Sequence, residues 1–160
     1  MPSTTPIPVS ILANVKTALE AVTVAAGYRT TVATVDTQFI NPETLGAGSK
    51  IPALAVFSDE IDFEIVGIGS TPTQAGQFRL KVQGILRADT TPNTKIHNFV
   101  QDVREKLLAD RGRGSNANNT HITRVELAGE SLGKFGSAPF YAKPFVGFLM
   151  DVVVDYQENL

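Results

Sequence analysis

The chain has 160 residues, 42% of them hydrophobic and 19% charged, with a formal charge of −2. That balance describes a single folded domain over residues 1–160, long enough to bury about 70% of its unfolded surface without staples. The lack of cysteine excludes disulfides, thiol catalysis and cysteine-held zinc or iron–sulfur clusters. The mild acidity offers no global field to draw nucleic acid or a membrane surface.

Residues 1–8 contain Pro2, Pro6 and Pro8 and read as an extended tail, without the basic start and apolar run of a secretion signal. The longest apolar run with large side chains, Phe145 to Met150, falls far short of the ~20 residues of a membrane span. The expectation is a soluble protein made in the cytoplasm.

Pro8 or Ser10 opens a helix. Leu12, Val15, Leu19, Val22 and Ala26 recur at helical spacing, and Ala18, Ala21 and Ala25 form a small-residue stripe beside them. Such a stripe allows close approach of a sheet or another subunit. Gly27 is the expected left-handed stop. Tyr28 to Phe39 reads as a strand with a bulge near Ala33, residues 40–50 as a loop, and Ile51 to Phe57 as a short apolar strand.

Asp59–Ile68 and Gln77–Arg87 alternate apolar and charged residues around a Gly/Ser/Thr/Pro stretch, which predicts a hairpin. Satisfying all charges at once pairs Glu64 with Arg79, Asp62 with Lys81 and Glu60 with Gln83. The same register places Ile61, Phe63 and Ile65 in the core against Val82, Leu80 and Phe78.

Thr91 is the candidate cap of a second helix with Pro92 in its first turn. Ile96, Phe99, Val100, Val103 and Leu107 trace its core stripe, and Asp102 and Lys106 stand at ion-pair spacing. Residues 112–119 are polar and glycine-bearing, and are expected to be mobile. A strand over Thr120–Leu127, a long loop over 128–143 and a closing strand over Phe145–Tyr156 follow. The first half of that last strand is apolar on both parities, so a loop or another subunit should cover its second face. The order is α-β-β-β-β-α-β-β. The expected fold is α+β, a mainly antiparallel mixed sheet with two helices packed on one face.

No chemical motif is complete. Gly46-Ala47-Gly48-Ser49-Lys50 lacks the spacing of a phosphate loop and does not precede a helix. Glu60, Asp62 and Glu64 read as a solvated strand face balanced by Arg79 and Lys81 rather than a cation site. His97 and His121 have no partner at metal-binding spacing, and no nucleophile elbow occurs. Asn118-Asn119-Thr120 matches a glycosylation triplet without any sign of secretion. Arg111 and Arg113, around Gly112, are candidate phosphate contacts. No catalytic residue, cofactor or metal is expected, and the protein is read as no enzyme.

Several features taken in order resemble a known family. They are the first helix running into Gly27-Tyr28, the strand Ile51-Pro52-Ala53-Leu54-Ala55-Val56 and the acidic-then-basic hairpin. The helix Ile96-x-x-Phe99-Val100-x-Asp102-Val103-x-x-x-Leu107 and the strand Phe148 to Tyr156 complete the set. The pattern is similar to the tail terminator and tail-completion (neck) proteins of long-tailed bacteriophages, from about Val9 to Tyr156. The proline-rich start and the long 128–144 loop depart from that pattern.

The resemblance implies a structural virion protein of the tail or neck. It would form a homo-oligomer, a hexameric ring, that caps the tail tube and stops its polymerisation. Its partners would be the tail tube protein and the head-connector proteins, with DNA passing through the lumen. Candidate subunit contacts are Phe145, Val146, Phe148, Leu149 and Met150 of the two-sided strand, with Ala18, Ala21 and Ala25. Arg111 and Arg113 would line the lumen or meet a partner. The alternatives are a small α+β ligand-binding or enzymatic domain, a DNA-binding module using the two arginines, or another neck or baseplate component.

Overall fold

The computed structural model describes residues 5–46, 48–67, 69, 73–129 and 145–159. Helix α1 spans Ile7–Glu20, β1 Thr34–Asp36, β2 Ala53–Ile65 and β3 Thr73–Arg87. Helix α2 spans Pro92–Ala109, β4 Asn119–Ala128 and β5 Phe145–Asn159. The five strands form one sheet in the order β1-β2-β3-β5-β4. Only the β1–β2 pair is parallel; the others are antiparallel. The α+β class holds, with both helices on one face of the sheet.

Two β-bulges set which residues face those helices. In β2 the apolar residues are even-numbered at Leu54 and Val56 but odd-numbered at Ile61, Phe63 and Ile65. A strict two-residue period would turn one set away from the helices. The register shift between Ser58 and Glu60 absorbs one residue and keeps all five on one face. The runs read as separate strands over 51–57 and 59–68 are therefore one strand, bulged at Asp59. A second shift, between Ile122 and Arg124, reconciles Thr120 and Ile122 with Val125 and Leu127 in the same way.

The core lies between this face and the helices. Ile11, Val15 and Leu19 of α1 and Ile96, Phe99, Val103 and Leu107 of α2 are fully buried. They pack on Leu54, Val56, Phe78, Leu80, Val82, Phe148, Met150, Val152 and Val154. Fully burying one such side chain stabilises by roughly 1.5–3 kcal/mol. Phe99 and Phe148 meet edge to face, with ring centroids 5.3 Å apart. Gly84 of β3 makes room there, since a Cβ would sit 2.1 Å from the Phe148 ring.

Helix α1 begins at Ile7, so Ile7 and Pro8 belong to the helix rather than to an extended tail; residues 1–4 lie outside the described residues. The helix stops at Glu20. Gly27, at φ 97°, closes a short 3-10 turn over Val24–Ala26 instead. Ile11, not Leu12, leads the buried face. The strand expected over 28–39 pairs only at Thr34–Asp36. Thr91 precedes α2 as expected, but its backbone is left-handed at φ 50° and its side chain makes no cap.

Asp102 faces inward and is fully buried. Its carboxylate accepts the Arg29 backbone N–H at 3.0 Å and the Arg29 guanidinium at 2.8 Å. This replaces the expected surface pair with Lys106. On the sheet's other face, the buried Gln83 amide donates to the Ile40 carbonyl and accepts its N–H, both at 2.8 Å. That pair of bonds pins the segment between β1 and β2 across the sheet.

Candidate assembly surface

Strands β3 and β5 pair along their full fifteen residues, from Thr73 with Asn159 to Arg87 with Phe145. Strand β2 follows β3 to Ile65 opposite Gln74. Strand β1 accompanies β2 only as far as Ala55. From Val56 to Ile65, no described strand pairs with the outer side of β2. Its last residues form an arm with an open backbone edge.

The two faces of that arm differ. Ile61, Phe63 and Ile65 lie on the helix-side face, and with Val66 they are 37%, 53%, 69% and 49% exposed. They continue the plane of the core past the point where the helices cover it. Scattered apolar side chains are ordinary on a surface, but a row of them on one open strand makes this arm the candidate interaction surface.

The opposite face is charged, in a register different from the expected one. Arg79 stands opposite Glu60, not Glu64, and Ile61 stands opposite Phe78, not Val82. An even slip keeps both faces while changing every neighbour. The Arg79 Nε lies 3.2 Å from Glu60 and 3.3 Å from Asp62. Lys81 turns to Asp151 of β5 at 2.7 Å. The two Arg79 pairs are exposed and each worth under about 1 kcal/mol. The expectation that Ile61, Phe63 and Ile65 belong to the core is thus corrected. The turn of the hairpin lies mostly outside the described residues.

The closing strand is placed differently from an interface. Val146, Phe148 and Met150 are at most 1% exposed inside the subunit's own core, and Phe145 is 4% exposed on the opposite face. The Arg87 guanidinium lies 5.5 Å from the Phe145 ring centroid. The second face is covered by the chain itself, so four of the five side chains present no surface to a neighbour; Leu149 is half-buried. Ala18 is half-buried on α1, while Ala21 and Ala25 are exposed beyond the helix end and form no helical stripe with it.

The two arginines separate. Arg111 is exposed. Arg113 is fully buried, and its guanidinium donates to the Leu107 carbonyl at the C-terminal end of α2. Burial pushes its pKa down from the ordinary value, opposed by the nearby Asp110 charge. A buried side chain holding a helix end cannot line a lumen.

The surrounding segment is tied rather than free. Gly114 N–H donates to Asp110 Oδ2 at 2.9 Å, Ala117 N–H to the Gly112 carbonyl at 2.9 Å, and Asn118 N–H to the Asp155 carbonyl at 2.7 Å. Left-handed backbone at Arg113, Gly114 and Ser115 makes this tight turn. It offers little support for the mobility expected of residues 112–119.

Other candidates do not converge. His97 is exposed, and His121 Nδ1 lies 3.8 Å from Asp155. Gly46 N–H accepts no phosphate-loop role; it donates to Ser49 Oγ at 2.9 Å. Among the described residues no group of three His, Asp or Glu could hold a metal ion, and no helix is long and apolar enough to cross a membrane. A cleft of about 440 Å³ is lined in part by Val24, Arg29, Pro52, Leu86 and Lys95. Its three cations among the described residues are already engaged, Arg29 with Asp102, Lys95 with Asp89 at 2.6 Å and Arg87 with the Gly46 carbonyl at 3.1 Å.

No protein-family model matches the chain, and no curated protein matches it. Among solved structures it is similar to a chain of one described as "Virion of native gene transfer agent (GTA) particle". The likeness covers 88% of this chain and 84% of that one, at 13% identity and a TM-score of 0.43, a score too low to establish a shared fold.

Proposed function

We propose that this protein is a structural subunit of a phage-like particle, a tail terminator that assembles as a ring. In this role it ends tail-tube growth and joins the tail to the head connector. The reading has two supports. One is the resemblance in the order of elements and apolar positions along the sequence. The other, which carries the proposal, is the exposed apolar row Ile61, Phe63 and Ile65 on an open strand edge, with exposed Val66 just past its end. An isolated subunit leaves this row in water; a neighbouring protein surface would cover it.

The subunit contacts are proposed to run through this arm rather than through the closing strand. The test is light scattering and negative-stain imaging of the purified protein, alone and with tail tubes. A ring, hexameric in the proposed form, is expected. Phe63→Ser with Ile65→Ser should leave the subunit folded, at about 0.5 kcal/mol or less for each change because both side chains are exposed, yet abolish the ring. A protein that stays monomeric at high concentration and in the presence of tube would overturn the reading.

A further inference from the structure

We propose that the ring closes by sheet continuation, the open edge of β2 in one subunit pairing antiparallel with the open edge of β4 in the next. The inference rests on the ring reading and specifies its contact. Four observations carry it.

First, β2 and β4 are the two edges of the sheet apart from the three residues of β1, and no described strand pairs with the outer side of β4. Two different edges that fit one another make a head-to-tail contact, the kind that generates a ring when the rotation closes.

Second, the directions agree. β2 runs against β3, β3 against β5 and β5 against β4, so β2 and β4 run oppositely. Subunits that all stand the same way up then bring the two edges together antiparallel, as in the rest of the sheet.

Third, the levels agree. Glu60, Arg79, Val153 and His121 occupy one row across the sheet, and Ile61, Phe78, Val154 and Thr120 the next. Neighbours related by rotation about an axis along the strands place residues 56–62 of β2 beside residues 119–125 of β4.

Fourth, the faces agree. Level for level, Ile61 meets Thr120; with the strands tilted to the ring axis, a stagger of four residues sets Phe63 beside Ile122 and Ile61 beside Val125, both β4 residues half-buried on the helix-side face. On the opposite face the same stagger sets Glu64 beside His121 and Asp62 beside Arg124, whose side chains are 40% and 66% exposed and lie 3.8 Å from Asp155 and 3.6 Å from Glu126 in their own subunit. Within the subunit Arg79 reaches Glu60 and Asp62, while Glu64 stands opposite Ala75, so a donor on the neighbouring edge would complement Glu64.

Cross-linking tests this directly, because the native chain contains no cysteine. Within one subunit, β2 and β4 are three strand spacings apart, about 14 Å, whereas a disulfide needs Cα atoms within about 7 Å. Any bond between the two edges must therefore join subunits. His121→Cys is combined in turn with Glu60→Cys, Asp62→Cys and Glu64→Cys, which lie on one face and cover slips of two and four residues. A control combines His121→Cys with Thr17→Cys on the exposed side of α1.

After mild oxidation, at least one edge pair should give a ladder of covalent species up to ring size on a non-reducing denaturing gel. The corresponding single variants should stop at dimers. An assembled sample whose edge pairs cross-link no further than the control overturns the sheet continuation and leaves the ring standing. A sample that is monomeric by light scattering removes both.

Discussion

The ring of Tyr156 lies across Gly76 of the neighbouring strand, so close that a Cβ on Gly76 would sit 2.3 Å from the Tyr156 Cζ. The two residues are directly opposed in the β3–β5 ladder, and Tyr156 is 1% exposed. The missing side chain of the middle strand is therefore the space that the tyrosine occupies. Gly76→Ala should force the ring out of its seat and cost about 1–3 kcal/mol, the usual range for overpacking. Chemical denaturation of the variant checks this, and an unchanged midpoint would show that the ring can move freely.

Tyr156 also sets an alkaline limit. Burial, and secondarily the charge of Glu158, raise its pKa above the ordinary value near 10. The folded state therefore holds the phenol proton more tightly than the unfolded chain does. This contribution is fully present below about pH 10 and is lost as pH rises through the folded-state pKa. The stability of Tyr156→Phe relative to the native protein should improve across that alkaline window. Parallel denaturation series at pH 8 and above pH 10 measure the difference.

Asp102 should be more sensitive than its partner. It is fully buried and accepts two charge-assisted hydrogen bonds from Arg29, one of them from the backbone. Asp102→Ala removes both and leaves the Arg29 N–H without its acceptor, at a cost on the order of 2 kcal/mol. Arg29→Ala keeps the backbone donor, and the Arg29 side chain is already 48% exposed, so its effect should be the smaller. Thermal melts of the two variants give the ranking, and equal losses would place the energy in the side-chain pair alone.

The two arginines near the end of α2 should also part company. Arg113→Ala deletes a buried side chain and the donor to the Leu107 carbonyl, a loss of about 2 kcal/mol. Arg111→Ala changes an exposed side chain and should stay within about 0.5 kcal/mol. Equal effects in a denaturation series would contradict the structural role of Arg113.

Elements with strong local periodicity were legible from the sequence. The stripe Ile96, Phe99, Val103 and Leu107 is buried as read, because helical spacing alone brings those side chains together. The alternation of β3 and the C-terminal half of β5 likewise names the buried faces. The α+β class follows from the order of those elements. The arm residues Ile61, Phe63 and Ile65 carried a signal that was available but not decisive: their parity conflicts with that of Leu54 and Val56, and only a bulge reconciles them.

What the sequence could not decide was anything that depends on distant neighbours. Opposing Arg79 with Glu60 or with Glu64 satisfies the same alternation, since an even slip leaves both faces intact; the full-length pairing of β3 with β5 accompanies only one of them. Asp102 looks like a surface partner of Lys106 until the fold brings Arg29, 73 residues away, to its carboxylate. Arg113 looks like a solvent arginine until a left-handed turn folds it under the end of α2. The sequence by itself determined the local periods and the faces they create. Only the tertiary structure decided which faces are covered, because coverage depends on where the helices end over the sheet, and no local pattern encodes that boundary.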